Sequence, residues 1–142
     1  MALAAAQVID VLAARLAPMP ATGGRVYTSR LWPLSEADLP AWRVTAEAES
    51  VEAATVDGLN EHRLTVQAKA VTRSVADLDD ALHALAAAGL ALLFAGTPPY
   101  GLQLDAIDRQ LSTAGEAAVG EIALSMTALY FVAPATPETI YS

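Results

Sequence analysis

Two stretches in which apolar and polar residues strictly alternate constrain this chain more than any other feature. In the first, Trp42, Val44, Ala46 and Ala48 alternate with Arg43, Thr45, Glu47 and Glu49. In the second, His62, Leu64, Val66, Ala68 and Ala70 alternate with Arg63, Thr65, Gln67 and Lys69. A period of two sends successive side chains to opposite faces of a strand, so both stretches read as half-buried strands. Asp57-Gly58 between them makes the pair a long hairpin. Residues directly opposite each other in an antiparallel pair share a face, and both apolar sets are even-numbered. The pairing therefore requires a loop of odd length. A loop of 57–59 places Glu47 opposite Lys69, and a loop of 57–61 places Glu49 there.

Helical periodicity flanks this hairpin. Ala5, Val8, Ile9, Leu12 and Leu16 recur at spacings of three and four, predicting a first helix over residues 2–17 that Pro18, Pro20, Gly23 and Gly24 stop. Arg25–Leu31 reads as a short strand and 33–40 as a polar loop. Ser74 with Asp77 forms a capping-box pattern, and Asp77, Asp79 and Asp80 sit where the helix dipole favours negative charge. The second helix then carries Leu78, Ala81, Leu82, Leu85, Ala88, Gly89 and Leu92 as its apolar stripe, until Gly96, Pro98 and Pro99 end it. Residues 103–113 are ambiguous, with Ile107, Arg109 and Leu111 on one face if extended. Gly115 and Gly120 bracket a turn, and Ile122 to Val132 alternate as a last strand. The order predicts an α+β fold, a largely antiparallel sheet of four to five strands with two helices packed on one face and the other face polar. Residues 1–133 form the expected single domain, and 134–142, with two prolines, a flexible tail.

Composition narrows the chemistry. A chain of 142 residues suits one domain with a full core, and eight basic against sixteen acidic residues leave a net charge of -8. That charge gives no general grip on nucleic acid phosphate. Cysteine is absent, so thiolate metal sites, disulfides and cysteine nucleophiles are excluded, and His62 and His83 are the only imidazoles. The 54% hydrophobic content is misleading, since 32 residues are alanine. Met1–Ala17 lacks a basic leader and is broken by Gln7, Asp10 and Arg15. The run from Ala81 to Gly96 is shorter than the roughly 20 residues that cross a bilayer. A soluble, unprocessed protein with no membrane partner is expected.

No catalytic motif, metal set or cofactor loop stands out. Gly23-Gly24 precedes a strand pattern rather than a helix and so does not form a phosphate cradle. The aspartates at 77–80 read as helix capping rather than a calcium loop. No nucleophile elbow is present, and neither histidine has a serine or carboxylate at a spacing that implies a relay. The expectation is a non-enzyme with no cofactor. Tyr27, Trp32 and Trp42 gather around Pro33 and Pro40, either as partner-binding anchors or as a cap on the open edge of the core.

The segment Arg25–Thr45, RVYTSRLWPLSEADLPAWRVT, resembles the tail terminator proteins of long-tailed bacteriophages, the lambda-type minor tail protein U family. The likeness is most specific at Glu36-Ala37-Asp38-Leu39-Pro40-Ala41 followed by Val44. Elsewhere it is one of order: an N-terminal helix, a long hairpin, a helix opened by aspartates, and a last strand carrying Tyr130. The alanine-rich second helix, Pro98-Pro99-Tyr100 and the proline-bearing tail depart from that pattern. The resemblance implies a structural virion protein, a hexameric ring that caps the tail tube, ends its polymerisation and offers a surface to head-completion proteins. It implies a place at the head-proximal end of the tail after assembly in the host bacterial cytoplasm, with DNA passing through the ring without tight binding. Arg30, Trp32, Glu36, Asp38, Pro40 and Trp42 are the assembly or interface candidates. Glu36, Asp38 and the carboxylates of 115–121 are candidates for an acidic lumen. Another head-tail joining or tail-completion protein is the alternative, and a small soluble ligand-binding domain a third.

Overall fold

The computed structural model describes residues 3–28, 40–54, 58–74, 78–114 and 117–140. Helix α1 (Ala4–Leu16) leads through a 3-10 turn at Pro20–Thr22 into β1 (Val26–Tyr27), and β2 (Ala41–Ala53) and β3 (Asn60–Ser74) form the hairpin. Helix α2 (Leu78–Leu93), a 3-10 turn at Pro99–Gly101, β4 (Gln103–Ala114) and β5 (Ala117–Val132) complete the order. The ambiguous stretch 103–113 is thus a strand. The sheet runs β1-β2-β3-β5-β4, with β1 parallel to β2 and every other pairing antiparallel. This is the α+β architecture the residue pattern predicts, a mixed sheet with two helices against it.

Both helices cover the face that carries Leu64, Val66, Ala68 and Ala70 of β3 and Ile122, Leu124, Met126, Ala128 and Tyr130 of β5, all buried. From α1 the buried side chains are Ala4, Val8, Ile9, Leu12 and Leu16. From α2 they are Leu78, Leu82, Leu85, Ala86 and Leu93. Its stripe is rotated slightly from the expected one, since Ala88 is exposed and Leu92 only half-buried. Each fully buried leucine contributes about 1.5–3 kcal/mol of transfer free energy. Asp79 and Asp80 occupy the first turn of α2, where the dipole favours them. Arg15 Nη1 donates to the carbonyls of Ala95 at 3.1 Å and Leu93 at 3.4 Å, closing the other end of α2 onto α1.

Two glycines set the helix-to-sheet distance. A methyl group at Gly89 would lie 2.5 Å from the Trp42 ring, and one at Gly120 would lie 2.7 Å from Leu82 Cδ1. Gly120 therefore belongs inside β5 beneath α2, a correction to its reading as one end of a turn. Gly115 lies outside the described residues.

The two central strands pair without interruption from Asn60 with Val132 to Ser74 with Ala118, whereas each neighbouring strand carries one bulge. In β2 the register shifts between Ala46 and Ala48, and in β4 between Leu104 and Ala106. A bulge inserts one unpaired residue and exchanges the faces of everything beyond it. Below the bulge Trp42 sits opposite Ala70 and Ala46 opposite Val66, so the expected parity holds there. Beyond it Glu49 sits opposite Leu64 and Val51 opposite His62, so odd residues face the helices. This corrects the hairpin prediction. Ala53 pairs with Asn60 across an even-length connection, and Lys69 lies opposite Arg43 rather than Glu47 or Glu49. Lys69 Nζ instead meets Glu121 on β5 at 3.2 Å.

The segment after β5, expected as a mobile tail, turns back onto α1. Ala4 N–H donates to the Pro137 carbonyl at 3.0 Å, Gln7 Nε2 donates to the Glu138 carbonyl at 2.5 Å, and Ile140 packs against the core. Its proline carbonyl thereby takes up an orphan donor of the α1 first turn. Among the described residues no helix is long and apolar enough to cross a membrane.

Candidate functional site

The bulge at Glu47 creates a polar cluster at the end of the core. His62 and Tyr130 are cross-strand partners on the helix-bearing face, and their rings stack with centroids 5.2 Å apart at 23°. Glu49, turned onto the same face, approaches both: its Oε1 lies 2.7 Å from His62 Nδ1 and 2.5 Å from the Tyr130 hydroxyl. An ionised carboxylate only accepts hydrogen bonds, so the imidazole places a proton on Nδ1 and the phenol donates. Burial, then the hydrogen bond to Glu49 and its charge, push the Tyr130 ionisation well above the usual tyrosine range. The phenol therefore stays a donor across the neutral pH range.

Tyr100 closes the cluster from the other side, edge-on to Tyr130 with centroids 6.3 Å apart at 69°. It is the only non-glycine residue with positive φ among the described residues, at 54°, and Gly101 follows at 56°. A left-handed conformation costs a residue with a Cβ roughly 1–2 kcal/mol.

An imidazole oriented by a carboxylate has one half of a general-base relay. No hydroxyl among the described residues bonds to the other nitrogen of His62, and the nearest phenol donates its hydrogen bond to Glu49 instead. The arrangement thus acts as a clasp: two donors from β3 and β5 converge on one carboxylate of β2 and pin the distal hairpin to the core. No group of three metal-binding side chains occurs among the described residues.

Beside this clasp the cluster opens into a cavity of about 180 Å³ between the distal hairpin, the first turn of α1 and the C-terminal segment. On the opposite face of the sheet a second depression, about 250 Å³, surrounds Ala123 and is bordered by Gln67, Lys69, Asp108 and Glu121. The Lys69–Glu121 pair lies along its border.

Of the six interface candidates, Arg30, Trp32, Glu36 and Asp38 lie outside the described residues. Pro40 is half-buried, and its carbonyl accepts from Arg25 Nε at 3.0 Å, which ties the start of β2 to the residue before β1. Trp42 is wholly buried, with Nε1 donating to Met19 Sδ at 3.2 Å and its ring against Gly89. Of its two readings the core one describes the structure, which removes Trp42 from the surface candidates. Tyr27 is half-buried in β1. Glu121, one of the acidic-lumen candidates, is paired with Lys69 on the outer face. His83 accepts from Arg109 Nε at 3.0 Å, bridging α2 to β4.

Glu49 escaped the sequence reading because its alternation with Ala46 and Ala48 is unbroken in the sequence, placing it on the outer face. Alanine tolerates either face, so nothing marked the reversal. No known family model matches this chain, and no curated protein is significantly similar to it.

Proposed function

We propose that this chain is a structural protein of virion assembly that forms a six-membered ring on the end of a phage tail tube, stops tube growth and presents a surface to head-completion proteins. The observation that carries this reading is the pair of open edges on one sheet. From Ala48 to Ala53 every residue of the distal β2 is exposed, and on the far side of the sheet every residue of β4 from Gln103 to Gln110 is exposed. Leu104 and Ile107 add exposed apolar groups along β4. A chain with two different docking edges suits head-to-tail contacts, which close into a ring when the rotation between copies allows.

The resemblance of residues 25–45 to tail terminators, and the order of helix, hairpin, helix and final strand, support the same reading. In it the tube protein and the head-completion proteins are the partners, and DNA passes through the ring without being gripped, in keeping with the net charge of -8. The chain has its place at the head-proximal end of the tail. The test is the mass of the protein free and bound to purified tube ends. A species of six copies on the tube supports the ring. One or two copies per tube end contradict it and favour a different head-tail joining role.

A further inference from the structure

The cavity beside Glu49 has a specific chemistry. Leu3, Val51, Val132 and Pro137 form its walls, and Glu49, Asn60 and His62 its polar side. Its volume of about 180 Å³ is below the roughly 300 Å³ at which small-molecule clefts begin, which leaves room for one inserted side chain rather than a cofactor. Leu3 is 63% and Val51 51% exposed, so the mouth is apolar and open to water. Both hydrogen bonds to Glu49 fall on Oε1, and Oε2 has no partner among the described residues. Tyr130 stays protonated, so the carboxylate is the one negative group of the clasp.

An alkyl stem ending in a cation satisfies both halves of such a site, with the stem along Leu3 and Val51 and the head on Oε2. We infer that this cavity receives a lysine or arginine side chain from a different protein. Among the described residues of a second copy every basic side chain is already engaged, which favours a different protein as the donor. Arg15 holds the end of α2, Arg25 the Pro40 carbonyl, Arg63 Glu61, Lys69 Glu121 and Arg109 His83, and Arg43 and Arg73 have partners as well. With a net charge of -8, the surface as a whole attracts a basic partner. The inference rests on the reading of the chain as an assembly protein and names the chemistry of one of its partners.

Titration of the isotope-labelled protein with n-butylammonium and n-butylguanidinium, with n-butanol as the neutral control, tests it by NMR. Either cation is expected to shift the Leu3 and Val51 methyls saturably, with n-butanol binding at least about fivefold more weakly for want of the charge-assisted bond. Glu49→Gln is expected to reduce the cations to the level of n-butanol. If Glu49→Gln does not fold, Val51→Ser replaces it and is expected to weaken all three probes. Cations that bind no better than n-butanol, or binding unchanged in a folded variant, overturn the inference. The titration needs no tube or ring, so six copies on the tube without cation binding leave the ring reading intact and remove this site.

Discussion

Glu49 and Tyr130, 81 residues apart in the chain, share a 2.5 Å hydrogen bond because Glu47 is bulged out of β2. Without that extra residue Glu49 would point to the opposite face and the distal hairpin would have no polar tie to the core.

Tyr130→Phe keeps the ring stack on His62 and removes one donor from Glu49. A hydrogen bond to a charged group contributes about 1.5–3 kcal/mol, and a loss within that range is expected in urea unfolding. Amide exchange should rise in residues 48–53 more than in the β3–β5 pairing. Unchanged stability together with unchanged exchange would show that the clasp does not hold the hairpin.

The same residue gives an alkaline signature. The folded state holds the Tyr130 proton above the ordinary tyrosine pKa of 10.0, so its contribution is complete below that pH. Above it the unfolded chain releases the proton while the folded one retains it, and stability falls as pH rises. Comparison of wild type with Tyr130→Phe in denaturant melts from neutral pH upward isolates this share from that of the other tyrosines. The two curves should approach each other above pH 10, and parallel curves would refute the assignment.

Gly89→Ala sets two effects against each other. Alanine gains about 1 kcal/mol of helix propensity over glycine, but its Cβ would stand 2.5 Å from a fully buried Trp42 ring. The indole has no room to yield, and overpacking costs of about 1–3 kcal/mol are expected to prevail, lowering the melting temperature. Gly120→Ala meets the flexible ends of Leu82 and Leu78 instead and should cost less. The reverse order would mean that α2 sits farther from the sheet.

Lys69 pairs with Glu121 diagonally across β3 and β5, at 3.2 Å. Lys69→Glu sets a second carboxylate against Glu121, offset in part by Arg43 opposite position 69, and the net cost should stay within about 0.2–1 kcal/mol and shrink as salt is added. Adding Glu121→Lys should restore most of it. A double variant no more stable than Lys69→Glu would show that the pair contributes nothing.

Much of this fold is legible in the residue pattern because each element repeats its period against one face. Alternation from His62 to Ala70 yields β3, and the three-and-four spacing of Val8, Ile9, Leu12 and Leu16 yields the buried side of α1. The edge strand β4 is harder to read, since a strand exposed along its length has little apolar pattern to display. The clasp was hidden for another reason. A bulge is a choice of backbone pairing, and Glu47 differs in no way from Glu49 until Val66 and Thr65 take their partners across the ladder. Trp42 illustrates the remaining ambiguity: an aromatic beside prolines suits a docking anchor or a core, and only the glycine opposite it in α2 decides between them.

If, as proposed, this protein forms a ring that decides where the tail tube ends, the lengths of tails assembled without it test that role most directly. Electron micrographs of such particles are expected to show tubes of uncontrolled length without heads, restored to uniform, joined tails when the protein is supplied. Tails of normal, uniform length in its absence would contradict the account.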